Sequence, residues 1–589
     1  VKGLSAADVG ELTTTQVAAL ATSQIAALTT TAFSALDATQ VGSLSTTQVK
    51  ALTADQLKNL TATDIGELAT TQIAALTTDQ LKNVSAANLS ALDATQTAAL
   101  TATQIKGLTN DQVKGLNATD IGELTTTQIG ALTTAQVGLL TSTQSSQLAT
   151  TQVSALATTQ VAALTTTAFK ALDATQVGSL SATQVKALTT AQLNALAPAD
   201  IGELADTQVA ALTTAQVAAL STTNLSALDA TQTAALADTQ IKALTAAQLK
   251  GLNATDIGEF TTTQVAALAV TQLNALGNNI SALDATQTAA LTTTQIKGLT
   301  ADQIKNLTTT DIGELTTTQI GALTTAQLGS LTSTNVSALA DTQVAALANT
   351  QVQALTSTQL KGLSVTDVGE LSATQVGALS ALQIGALAST QLQELSTTQV
   401  GGLTATQIGA ISTANISQLA TTQFAALTTT QVKGLTAGQV GALNATNVGA
   451  LADTQIAALS STQLAGMSAG SFSALDATQV GALVDTQIKA LTTTQLKGLT
   501  ATDMGELSTT QLATLSVAQL TSLSETNVSA LDATQTAALT TTQVKGLTAT
   551  QLKGLNATDI GELTTTQIAV LSTDQLKNVS AANLSALDA

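Results

Sequence analysis

An apolar residue returns at every eighth position from Leu4 to Leu276 and, after one seven-residue unit, from Leu291 to Leu587. No other property of this 589-residue chain restricts its fold so tightly. A period of eight rules out one continuous helix, because eight residues advance about 800° and the apolar stripe would turn by about 80° per unit. One unit is also too small to stand alone. Burying two large aliphatic side chains yields roughly 4–5 kcal/mol, against roughly 12 kcal/mol for ordering eight residues. Neighbouring units must share a core, which defines a solenoid.

Numbered so that each ends on this residue, the units read [ST]-x-x-[QD]-[VIL]-x-x-L; there are 73, one of them the heptad Gly277–Leu283 (GNNISAL). Position 8 departs from Leu only as Val84, Phe260, Ile411, Met467 and Val579, and position 5 holds Phe33, Phe169, Phe424, Phe472 and Met504. Every Phe and Met therefore sits at position 5 or 8, which we read as core. All 19 Lys sit at position 6, which must be solvated. Ser or Thr at position 1 with Gln three residues on is the capping box of a helix N-terminus, and the flanking aliphatics form a hydrophobic staple. Pro198 falls at position 2, the first helical residue, where a missing N–H costs nothing. Gly gathers at positions 6 and 7, where so short a helix would end.

The expected fold is thus all-α: a single continuous octapeptide solenoid over residues 1–589, with one short N-capped helix per unit. The rival is a β-solenoid, since Thr, Val and Ile favour strands. The apolar pair three residues apart, rather than two, argues against it.

A longer period overlies the octads. D-φ-G-E-[LF] begins at Asp8, Asp64, Asp120, Asp200, Asp256, Asp311, Asp367, Asp503 and Asp559, most often seven octads apart. The marker ALDATQ recurs by the same rule, at Asp37, Asp93, Asp173, Asp229, Asp284, Asp476 and Asp532. Eight of the nine D-φ-G-E aspartates follow a Lys by six positions: Lys2, Lys58, Lys114, Lys250, Lys305, Lys361, Lys497 and Lys553. Either block duplication copied a weak surface ion pair, or these charges set a contact register every seventh unit. In the DATQTAAL octads a Thr replaces the core aliphatic at Thr97, Thr233, Thr288 and Thr536; it marks a bend or partner contact, or bonds back to its own helix.

Chemistry is scarce. With no His, Cys, Trp, Tyr or Arg, the chain lacks the usual general base, thiol nucleophile and bidentate phosphate clamp. No catalytic residue, cofactor site or enzyme activity is expected. A net charge of −19 disfavours nucleic acid, and no apolar run is long enough to span a membrane. The Asp and Glu of D-φ-G-E, three apart, lie on one helix face. The pairs Asp64/Glu67, Asp120/Glu123 and Asp256/Glu259 are the candidates for a Ca²⁺ site, although two carboxylates fall short of the six to eight oxygens Ca²⁺ takes. The alternative is an N3 capping acid and a solvated Glu. Starting at Val1 and stopping at Ala589 within repeats, the sequence reads as a segment of a longer or processed polypeptide.

The run LTTTQVAALTTTQIKGLTATDIGEL resembles octapeptide-repeat regions of giant secreted, fibre-forming surface proteins of bacteria, described as adhesin- or haemagglutinin-like. The resemblance implies an extracellular, cell-surface protein with a structural or adhesive role. The expected function is a self-associating subunit of a filament, sheath or stalk. Alternatives are an adhesin or an ice- or glycan-binding array, rigidified by Ca²⁺ or not, with other surface proteins or glycans as partners.

Overall fold

A computed structural model describes residues 1–585. These form 72 α-helices of four to six residues and one 3-10 helix, with no strand among the described residues. The fold is the all-α solenoid and not the β-solenoid. Its contacts fall into two compact units, Val1–Gln295 and Ile296–Ala589, each built in the same way.

The octad Thr125–Leu132 shows why eight residues make one helix. Thr125 is extended (φ −67°, ψ 159°) and its hydroxyl accepts from the Gln128 N–H at 3.3 Å. Gln128 Oε1 accepts in return from the Thr125 N–H at 2.7 Å. The helix Thr126–Ala131 then runs until Leu132 (φ −56°, ψ 138°) leaves the helical region and points the chain at the next cap. Where position 1 is Ala the Gln half of the box survives: the Ala21 N–H donates to Gln24 Oε1 at 2.7 Å. That is why Ala stands in for Thr so often at position 1. Pro198 sits in the first turn of its helix, as expected.

Positions 5 and 8 form the core. Ile129 is fully buried and Leu132 nearly so, and the four Phe at position 5 are buried as well. All 19 Lys are exposed. Within each unit, helices pack against the helix three further on. The side chain of Gln128 reaches back further, with Nε2 donating to Thr97 O and Leu100 O, both at 2.7 Å and 31 and 28 residues earlier. Gln431 in the second unit does the same to Val400 O and Leu403 O at 2.7 Å. Between the three-octad step of helix on helix and the 31-residue reach of the Gln side chain, one turn of the solenoid is about 28 residues, or three and a half octads. A chain with half-integral octads per turn returns to the same side only after two turns, and two turns are the seven octads, counting the heptad as one, that separate the D-φ-G-E markers in six of their eight intervals.

Gly is the last residue of many of these helices, Gly107 and Gly115 among them, as expected. None ends a helix in the left-handed region; Gly277, opening the short unit, has the one positive φ (56°) among the described residues. At some of the places in positions 6 and 7 Gly also allows adjacent turns to approach. A Cβ on Gly385 would lie 2.6 Å from Ala410 O, and one on Gly434 2.7 Å from Ala405 Cα, so only Gly fits. The heptad is absorbed by a shift of one residue. Asn279 Nδ2 bonds Leu252 O at 3.0 Å, and Gln287 Nε2 bonds Phe260 O at 2.5 Å, each 27 residues back where the regular octads reach 28.

Candidate functional site

Gln at position 4 is the residue whose role the sequence reading underestimated. Gln104, Gln128 and Gln431 are each 2 % exposed. The amide oxygen closes the cap of its own helix, while the amide nitrogen holds the helix-end carbonyls of the turn below. Each such side chain satisfies buried backbone groups at two places. Capping alone needs an oxygen, which Glu supplies equally well, yet no unit carries Glu at position 4. That omission was the legible signal for a donor.

D-φ-G-E units break this ladder, because Asp has no amide nitrogen to donate. Asp64, Asp120 and Asp256 are at most 9 % exposed, as N3 capping acids. Asp64 Oδ2 accepts from the Thr61 N–H and from the Ser34 hydroxyl, both at 2.7 Å. Asp120 and Asp256 take the same bonds from the N–H of Asn117 (2.7 Å) and Asn253 (3.0 Å), and from the hydroxyls of Ser90 and Ser226. Asp503 and Asp559 accept from Ser473 and Ser529 at 2.5 Å. Each Ser lies 30 residues before its Asp, just ahead of the ALDATQ marker. All seven ALDATQ aspartates precede a D-φ-G-E aspartate by one fixed interval, from Asp37/Asp64 to Asp532/Asp559. In five of these pairs the Ser ahead of one marker bonds the Asp of the other, so there the two markers are halves of one rung, one turn apart.

Glu67, Glu123 and Glu259 are half-buried rather than solvated. Thr233 Oγ1 donates to Glu259 Oε2 at 3.4 Å and Thr536 Oγ1 to Glu562 Oε2 at 3.3 Å. Thr233 and Thr536, at the core position, thus serve a Glu 26 residues on. Val41 and Val480 hold the corresponding places before Glu67 and Glu506, and there Oε2 of each Glu is buried without a partner. Burial pushes the Glu67 carboxyl above its usual range, and the charges of Asp64 and Asp37 push it further. Glu259, Glu506 and Glu562 are raised too, first by burial, with Thr233 and Thr536 opposing the rise at Glu259 and Glu562.

The expected Lys–Asp pairs six residues apart do not form. Ion pairs among the described residues are Lys82–Asp79 (3.0 Å) and Lys577–Asp574 (3.3 Å), both at the surface. At Asp64, Asp120, Asp256, Asp503 and Asp559 the carboxylate instead turns inward to a Ser hydroxyl, and the Lys stays in water. Among the described residues no three of His, Cys, Asp or Glu are placed to hold a metal ion together. No described helix is long and apolar enough to cross a membrane.

A test follows from the orphaned carboxylate. A Glu whose folded pKa is raised contributes stability fully present below its unfolded value near 4.5 and lost as pH rises through the folded value. Val41→Thr supplies the missing donor, so it should lower the Glu67 pKa and flatten the decline in stability above pH 4.5, a gain of about 1 kcal/mol at neutral pH. Thr536→Val should steepen the decline. Denaturant midpoints across this range, with Glu67 followed by NMR titration, decide it; an unchanged Val41→Thr profile refutes the pairing.

An all-α solenoid of stacked octads places the chain among the repeat proteins. More particularly, the ALTTAQ repeat family model matches at residues 153–190, 186–222 and 304–341, so this is a repeat protein by sequence as well as by fold. No match was found among curated proteins.

Proposed function

We propose that this chain is a structural, length-giving subunit of an extracellular bacterial filament, sheath or stalk, and that copies of it associate. The observation that carries this reading is the Gln ladder. Every Gln rung uses the same bonds between one turn and the next, so turns can be added without a new kind of contact. The buried Gln side chains are spent on stitching and capping, and the cleft beside Leu382 in the second unit is open. Such a design gives extent and stiffness in preference to a reaction centre. The adhesin- and haemagglutinin-like resemblance of the repeats agrees with a surface location. Electron microscopy of native particles tests the reading: fibres or lateral bundles are expected, and dispersed single chains at every concentration would overturn it.

A further inference from the structure

The net charge of −19 is not spread evenly. Across residues 371–452 the only charged side chains are Glu394 and Lys433, which cancel; the rest of the chain holds 18 Lys against 37 Asp and Glu. At about 28 residues per turn, this stretch makes a band of about three turns with no net charge within the second unit. The same band holds Leu382, at 77 % the most exposed large hydrophobic residue among the described residues. Leu382 occupies position 3 of its octad, where Thr is common, and flanks a cleft of about 450 Å³ lined by Leu355, Thr356, Ala378 and Ser380.

We infer that this band is where a second copy of the chain docks side by side, with Leu382 of each copy set against the cleft of the other. The inference rests on the self-association proposed above and names its surface. Two copies of an acidic chain repel wherever their acidic turns face one another, and the repulsion is weakest where neither carries net charge. A cationic partner would select the acidic turns, and the band offers it nothing. Isologous pairing requires the same patch on both copies, which one exposed Leu beside its own cleft provides. A stable pair buries about 800 Å² per copy, a patch roughly 30 Å on a side. Three turns of packed helices, at about 9–10 Å each, supply that length along the axis.

The experiment is sedimentation velocity of the full chain at low and moderate salt, comparing the wild type, Leu382→Glu/Thr406→Glu and Val484→Glu. Thr406 is exposed in the band, one helix-contact step from Leu382, and Val484 is an exposed apolar residue outside it. All three positions are on the surface, and thermal melts verify that each variant is folded. The wild type should associate, more strongly as salt screens the charged turns. The double variant should associate about tenfold more weakly or worse, and Val484→Glu as the wild type does. Association of the double variant at wild-type strength overturns the docking surface and leaves the proposed function standing. A wild type that stays monomeric overturns both.

Discussion

Gln184→Leu should destabilise the solenoid around residue 184 by about 2–4 kcal/mol, although Leu is close to Gln in size and is a good helix former. Gln184 Oε1 accepts from the Ser181 N–H at 2.8 Å, and Nε2 donates to Leu156 O at 2.7 Å and Val153 O at 3.0 Å. Val153 O keeps a bond from the Leu156 N–H at 3.2 Å, but Leu156 O and the Ser181 N–H lose their partners. Each group left buried and unpaired costs about 1–3 kcal/mol. Gln184→Glu separates the two roles: it keeps the cap and loses the donor, so it should recover only part of the loss at neutral pH. Hydrogen exchange of residues 153–188 read alongside denaturant melts measures both. If Gln184→Glu were as stable as the wild type, the link between turns would contribute nothing.

Leu156→Ala should cost about 2–5 kcal/mol, the range for emptying a packed Leu site, whereas Lys186→Ala should stay within about 0.5 kcal/mol. Leu156 is 4 % exposed and turns the chain between two helices, while Lys186 lies at the surface. Because repeats contact only near neighbours, the loss should fray the turns around residue 156 before it unfolds the whole array. Equal losses at Leu156 and Lys186 would reverse the assignment of core and surface.

Much of this architecture was legible, because the octad carries its local rules in plain form. The capping box fixed each helix start, and positions 5 and 8 gave the core through to Phe424 and Met504. What the octad could not reveal is the number of units per turn, since that depends on how helices pack across turns and not on any one helix. Gln128 therefore read as a cap when it is also a stitch, and Gly385 read as a helix end when it marks a close approach. The same gap hid the meaning of the seven-octad period. Asp64 and Ser34 are far apart in sequence, and only the closure of a full turn of the solenoid brings them together. The Lys58–Asp64 spacing suggested a pair because both charges were visible in the sequence, while the burial of Asp64 was not.

The length of one turn is the central claim, and a chain without Cys allows it to be tested by paired cysteines. A Cβ built on Gly107 would lie 3.1 Å from Thr78 Cβ, close to the separation a disulfide spans after a small adjustment. Thr78→Cys/Gly107→Cys should therefore close a disulfide on mild oxidation, read as a shift in gel mobility that reduction reverses. Moving one partner by an octad, to Ala86→Cys or Thr70→Cys with Gly107→Cys, should abolish the intramolecular bond. Closure of either displaced pair in place of the first would contradict a turn of three and a half octads.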